Sequence, residues 1–599
     1  MNDLKLPSAW RALWLTGRIA FRASPWLALG SLMIPIGWLQ GQAEAVASRF
    51  AVDGVATHHA GGALAALVAL MGIRAAWRTF DVLGRRSVAG WQERASVEFD
   101  RRLALASARL PGLAEFENPA ILDLLHRLRS EVWKLHWTFE SLMEAVGAIA
   151  RFAITCVLLA SLDPRLLLLP LAGLPSLWAG ASGARMFSDA EVQSAEAERQ
   201  RRHLFEMATA SGPAKEVRVA RIGGFLRRKA EFAWRHVEAV YRPVQMRASI
   251  QDAAGALVVS AGFVAAVLLM LDRARRGQAS PGEVLMAVML GGQATGMLAS
   301  SISTSRWTLG NLAVSRRFVW LLDRADAGVA TSGTLPAPTR IRNGISVREV
   351  TFSYSPTLKP ALDRISLELP AGSVIAIVGE NGAGKTSLVK LLCRLYEPDG
   401  GCIEVDGVDI KRVNRESWRT RIASGFQDFC RLEFVMRESA GVGDLKRVDS
   451  SDVVMSKLHL AGAARVTNRL PLGLEHQLGT RWPGGADLST GEWQKVALAR
   501  MLMRDDPLLV VLDEPTASLD APAEAALFER YAATARDAGR RSGAITVLVS
   551  HRFSTVRMAD LIVVIERGQV IEQGTHAELV AADGVYASLV GLQRRLHGG

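Results

Sequence analysis

The sequence predicts an all-α half of six membrane-spanning helices followed by an α/β half, and three observations lead there. Up to about residue 305 the chain alternates apolar, Ala/Gly-rich runs of bilayer length with Arg-rich stretches. Beyond about residue 341 it changes to short β-branched runs separated by glycine motifs. One such run, in "VIAIVGENGAGKTSL", passes directly into Gly379-x4-Gly384-Lys385-Thr386, the spacing of a phosphate-binding loop.

Composition sets the frame for each element. The chain has 599 residues, 49 % of them hydrophobic, which is long enough for several domains and more apolar than a soluble protein requires. The formal charge of +12 reads as arginine collected in cytoplasmic loops, with no nucleic-acid partner. Cys156, Cys393, Cys402 and Cys430 have neither metal-ligand nor disulfide-framework spacing, which fits a reducing compartment. Basic residues precede the first apolar run, but that run continues past signal-peptide length into Gln and Glu, so it is read as retained.

Six spans are expected near residues 24–45, 60–77, 141–162, 165–186, 251–271 and 281–303, within a membrane domain over 1–325. A linker follows over 326–340, and the second domain over 341–599. The span at 60–77 is the weakest because Arg74 shortens its uninterrupted run. Spans pair through short connections as first with second, third with fourth and fifth with sixth. The long charged segments between the pairs are helical in pattern. A helix from about residue 60 to Leu110 would be about 75 Å long at 1.5 Å per residue, far more than a bilayer core. Each long segment is interrupted, at 111–125 and at 214–229, where a short crosswise helix could touch another domain. Lys5, Arg11, Arg18 and Arg22 agree with cytoplasmic termini. The external loop 272–283 disagrees, carrying Arg273, Arg275 and Arg276; it is either an exception in a short loop or a vestibule for acidic groups or lipid phosphates.

The nucleotide chemistry starts at the loop itself. Gly379, Glu380, Asn381, Gly382, Ala383 and Gly384 would wrap phosphates with backbone N–H groups, Lys385 would meet the β/γ-phosphates, and Thr386 with Ser387 opens the helix, Thr386 as a Mg²⁺ ligand. A second buried strand, "LLVVLDEP", ends in Asp513, an acid placed to hold Mg²⁺, and Glu514, placed to orient or deprotonate the attacking water. "LSTGE" puts Ser489, Thr490 and Gly491 at the start of a helix, where free N–H groups favour an anion.

In this order and spacing the loop, "LSTGE", "LDEPTASLD" and "VLVSHR" resemble the nucleotide-binding domain of the ABC transporter superfamily, an α/β P-loop NTPase, and the six spans ahead resemble the membrane domain of an exporter-type half-transporter. The resemblance implies ATP and Mg²⁺ as cofactors. It implies Tyr354 as the adenine-stacking aromatic, Gln427 as a residue sensing Mg²⁺ and the γ-phosphate, Asp520 as the D-loop acid and His551 as the switch histidine. Glu514, His551, Gln427 and Lys385 would then be catalytic, and Thr386, Gln427 and Asp513 the metal set. It also implies a composite site in which Ser489 and Gly491 touch ATP held by a facing domain. A second copy of the chain is therefore expected, a homodimer in preference to a heterodimer. The usual loop has glycine where Thr490 stands, and a β-branched residue is costly there if the backbone needs φ > 0.

The resemblance further implies a multi-pass protein of a bacterial plasma membrane, with both termini and the nucleotide domain cytoplasmic, exporting by alternating access. Fragments such as "AEFENPAILDLL" are similar to exporters of lanthipeptides and other bacterial peptides, so the expected cargo is a peptide; no leader-peptidase domain is expected ahead of the first span. The alternatives are a lipid or hydrophobic-drug exporter, an importer of the same architecture, and a non-transporting membrane ATPase. Glu144, Arg151 and Gln293 are the pathway candidates, because ionisable or polar groups inside a span mark a pathway unless they serve helix packing.

Overall fold

The computed structural model describes residues 5–31, 33–34, 38–210, 212–330, 332–355, 359–514, 536–537, 539–550 and 553–597. Asp520 and His551 lie outside the described residues. The chain divides into two compact units, one of Met1–Ala108 with Asp123–Asp323, the other of Arg109–Leu122 with Arg324–Gly599.

The first unit is helical. Among the described residues, four helices are long and apolar enough to cross a membrane: Gly61–Ala108, Trp137–Leu162, Pro164–Thr209 and Gly223–Arg275. They contain the expected spans at 60–77, 141–162, 165–186 and 251–271. The run expected to open the domain is divided between helices Pro25–Gly30 and Gln40–Ala56, with part of it outside the described residues. The run at 281–303 lies within the 50-residue helix Pro281–Ala330. Helix Ala60–Ala108 is unbroken for 49 residues, and within it the Arg74 Nε reaches Glu44 Oε1 at 3.1 Å on helix Gln40–Ala56.

Small residues let these helices approach. A Cβ on Gly255 would fall 2.6 Å from Ser176 Oγ, so the helix pair Leu174–Thr209 and Gly223–Arg275 is in backbone contact that only glycine permits. Larger apolar groups fill the rest: Leu159, Leu166, Met270 and Leu290 form one buried cluster. Phe99 meets Phe318 edge-on at 5.5 Å. One polar tie crosses between helices where Gln42 Nε2 donates to Thr155 Oγ1 at 3.1 Å.

Arginines of loop 272–283 have packing partners. Arg273 Nη1 donates to the Leu162 carbonyl at 2.7 Å and to Asp163 Oδ2 at 2.9 Å, satisfying an end carbonyl of helix Trp137–Leu162. Arg276 pairs with Asp272 one turn earlier at 2.8 Å. Beside them, Asp53 accepts from Gly282 N and Ser280 Oγ, both at 2.8 Å, capping helix Pro281–Ala330 from a neighbouring helix.

The second unit is α/β. A four-stranded antiparallel sheet has the order β2-β1-β4-β5, with β1 Gly344–Phe352, β2 Leu362–Pro370, β4 Gly400–Val405 and β5 Val408–Asp409. A six-stranded sheet has the order β10-β9-β3-β8-β7-β6, with β3 Val374–Val378, β6 Ile422–Gly425, β7 Leu509–Asp513, β8 Ile545–Val549, β9 Leu561–Glu566 and β10 Gln569–Gly574. Strands β3, β7 and β8 are buried at every position, as continuous apolar runs in a parallel sheet covered on both faces must be. A helical layer around Val454, Leu458 and Trp493 has its own core.

Residues 109–122 belong to this unit although they are remote from it in sequence. Leu113 N donates to the Leu395 carbonyl at 3.0 Å, and Arg419 Nη2 to the Pro111 carbonyl at 3.1 Å. Arg324 Nε reaches Glu115 Oε1 at 3.0 Å. The expected crosswise helix is Leu113–Glu117; its counterpart in the first unit is Ala214–Val219.

Candidate nucleotide site

Strand β3 ends at Val378, and the chain then turns through three left-handed glycines, Gly379, Gly382 and Gly384, at φ +151°, +82° and +109°. Two of them are obligatory. A Cβ on Gly379 would lie 2.1 Å from the Ile565 carbonyl oxygen, and one on Gly384 would lie 2.6 Å from that of Ala361. Gly384 leads into helix Lys385–Leu392. Lys385 is folded under the loop, its Nζ donating at 2.9 Å to the carbonyls of both Gly379 and Glu380. Burial pushes this ammonium below the usual lysine range, while Glu514 and Asp513 oppose the shift.

The acids stand at the tip of β7. Asp513 is 2 % exposed; burial pushes its carboxyl up, opposed by a hydrogen bond from Thr386 and by the charge of Lys385. Glu514 takes a left-handed φ of +46°, its N–H donating to the Val549 carbonyl at 3.0 Å. That turn meets Gln427, whose Nε2 donates to Glu514 Oε2 at 2.9 Å. Lys385, Thr386, Asp513, Glu514 and Gln427 are thus brought together as the sequence predicts. They form a cation, a hydroxyl, a buried acid, a carboxylate and the amide that orients it.

Tyr354 also reaches this helix, with its hydroxyl 3.0 Å from Ser387 Oγ. Its ring meets Tyr396 edge-on at 5.4 Å and carries Lys390 Nζ 5.2 Å from its centroid. Lys390 and Tyr396 were not singled out from the sequence, and no motif marks them.

The "LSTGE" loop is built in the helical layer. Ser489 is the N-cap of helix Thr490–Leu502 in a reciprocal capping box with Glu492. Burial alone would raise the Glu492 carboxyl; hydrogen bonds from Ser489 and the charge of Arg469 outweigh it and hold the group below the usual range. Thr490 occupies the first helical position without a positive φ, so the strain anticipated for a β-branched residue is absent. Its hydroxyl instead accepts from Arg431 Nη2 at 3.2 Å. Arg431 was missed because it lies 59 residues away in sequence.

Of the pathway candidates, Glu144 lines a cavity in the first unit. Arg151 lies over the Trp38 ring, 5.4 Å from its centroid. Gln293 Nε2 donates to the Gly41 carbonyl at 2.9 Å, a helix-to-helix tie.

Residues 362–517 match the family model described as ABC transporter. The ATP-dependent lipid A-core flippase of Xylella fastidiosa (strain 9a5c) is 33 % identical over 354 residues, 59 % of this chain and 57 % of that protein. The flippase of the same name from Methylococcus capsulatus is 39 % identical over 254 residues, 42 % of this chain and 40 % of that protein. The chain thus spans about half the length of the curated relatives it matches, and the cargo in their names is a lipid, not the peptide expected from the sequence. A bacterial Atm1-family ABC exporter with ATP bound superimposes with a TM-score of 0.80 at 22 % identity, over 95 % of this chain and 98 % of that one. The chain thus carries an ABC transporter domain over residues 362–517 and has, over nearly its whole length, the fold of a bacterial ABC exporter.

Proposed function

We propose that this chain uses ATP hydrolysis to export a lipid or lipid-like amphiphile across a bacterial plasma membrane, working as a dimer by alternating access. The observation that carries the ATPase part is the Gln427–Glu514 hydrogen bond beside the buried Lys385 and Asp513. The left-handed turn aims the Glu514 carboxylate at a position where it can take a proton from water. Lys385 and the loop N–H groups of residues 379–384 fit a polyphosphate, since a Cβ at Gly382 would meet open space and leaves the loop unobstructed. Thr386, Asp513 and Gln427 fit Mg²⁺: a hydroxyl already bonded to a buried carboxyl is a hard-oxygen donor pair. When bound, the ion would neutralise charge developing on the phosphoryl oxygens.

The dimer is supported by helix Ala214–Val219, which buries none of its residues, and by the exposure of Val219, Phe225, Phe232 and Trp234 nearby. A second copy would cover this face and supply the facing signature loop. The lipid reading rests on the flippase relatives and replaces the peptide cargo.

The test is the full chain reconstituted in vesicles, beside Glu514→Gln, with ATPase and ATP-dependent transfer of a fluorescent phospholipid between leaflets both measured. Transfer abolished by the substitution supports the proposal. An intact ATPase that moves no lipid and is stimulated by cationic peptides would restore the peptide reading.

A further inference from the structure

The first unit encloses a cavity of about 310 Å³ whose walls are aromatic and acidic. Trp38, Trp91, Trp137 and Phe139 supply the aromatic surface, and Glu140 and Glu144 the carboxylates. Trp91 and Phe139 meet edge-on at 5.1 Å, and the Trp91 Nε1 is anchored on the Ala20 carbonyl at 2.7 Å, so this wall is rigid.

The charges do not balance inside the cavity. The lining cation, Arg85, is engaged by Asp81 at 2.8 Å. Arg151 is outside the lining and committed to the Trp38 face. Gln92 donates one hydrogen bond to Glu140, which fixes that carboxylate without neutralising it. Glu144 forms no hydrogen bond or ion pair among the described residues. Counting Asp81, Glu140 and Glu144 against Arg85 and Arg151 leaves a net negative site walled by π-faces.

Aromatic faces and carboxylates converging on one small volume recognise organic cations, through the ring quadrupole and through charge. An anionic headgroup would be repelled by the same carboxylates. The volume is at the lower end of ligand pockets, ~300–1,000 Å³, which suits a headgroup and excludes a pair of acyl chains.

We propose that this cavity binds the organic-ammonium headgroup of an amphiphile, with its hydrocarbon portion left outside the cavity. The assignment rests on the amphiphile-export reading and names the headgroup that reading leaves open. The Trp38 wall depends on Gly147, where a Cβ would fall 1.7 Å from the indole. Gly147→Ala would therefore displace Trp38, and with it the ring under Arg151, while leaving both carboxylates in place.

The test is equilibrium binding of labelled dodecyltrimethylammonium, without ATP, to the full chain in phosphatidylglycerol nanodiscs. Glu140→Gln and Glu144→Gln, each checked for retained ATP binding, are each expected to weaken saturable binding roughly tenfold, as loss of a close charge pair does. Gly147→Ala should weaken it with both carboxylates retained. Dodecyl sulfate should not compete. Replacing part of the lipid by phosphatidylethanolamine distinguishes a bilayer headgroup, which would displace the probe, from a free single-chain amphiphile, which alone would occupy the site. Unchanged binding in both Gln variants, or equal competition by dodecyl sulfate, would overturn the assignment. Because the assay omits ATP, its failure is separable from failure of ATP-driven lipid transfer.

Discussion

The Gln427 amide holds the Glu514 carboxylate at 2.9 Å while Glu514 itself sits in a left-handed backbone conformation at φ +46°. Two constraints, one on the side chain and one on the main chain, therefore fix a single acid. Gln427→Ala removes the first and leaves the second. The expected result is an ATPase rate lowered by roughly 10- to 100-fold with Mg-ATP affinity lowered less, since Gln427 orients the carboxylate and is one of three groups proposed to hold Mg²⁺. Steady-state ATPase beside nucleotide binding measures this; an unchanged rate would remove the orienting role.

Thr490 stands at an unstrained first helical position, so glycine has nothing to relieve there. Thr490→Gly should leave thermal stability unchanged or lower it by up to ~1 kcal/mol, the ordinary helix cost of glycine. A clear rise in melting temperature would contradict the described backbone. Thr490→Val keeps the shape and removes the acceptor for Arg431, and comparing its ATPase rate with that of the unsubstituted chain isolates that hydrogen bond.

Gly282 passes so close to a neighbouring helix that a Cβ would fall 2.3 Å from the Arg49 carbonyl oxygen, and its N–H is capped by Asp53. Asp53→Ala should cost ~1 kcal/mol through the lost cap. Gly282→Ala should cost more, because backbone has to separate. Melting of the full chain in lipid, read by tryptophan fluorescence, should rank the two in that order.

Glu492 has its carboxyl held below the usual range, so the folded state releases that proton more readily than the unfolded chain does. Its stabilising effect is complete above the ordinary glutamate range near pH 4.3 and fades as the pH falls below it. Glu492→Gln should flatten the acid limb of the stability profile while leaving neutral-pH behaviour less changed. Parallel limbs for the two proteins would assign acid sensitivity to other groups.

What could be read in advance was what the chain encodes locally. The phosphate loop needs a buried strand, three left-handed turns and a helix start, all within the short stretch "VIAIVGENGAGKTSL". The long helix after residue 60 followed from continuous helical patterning, although Arg74 concealed its partner on another helix. Contacts made by folding were not readable: Arg431 with Thr490, Tyr354 with Ser387, and the aromatic-acid cavity assembled from several helices. Arg273 was readable only as an exception in a short loop or a vestibule charge, because its acceptor, the Leu162 carbonyl, is a helix end 111 residues away.

Residues 109–122 leave the ribosome about two hundred residues before the remainder of the unit they complete. At ordinary synthesis rates of ~5–20 residues per second, this early piece waits for tens of seconds before Leu395 and Arg419 exist to receive it. A gene fragment starting at residue 341 would lack the segment that packs on Leu395 and Arg419, and fusing Arg109–Leu122 ahead of it would return those hydrogen-bond partners.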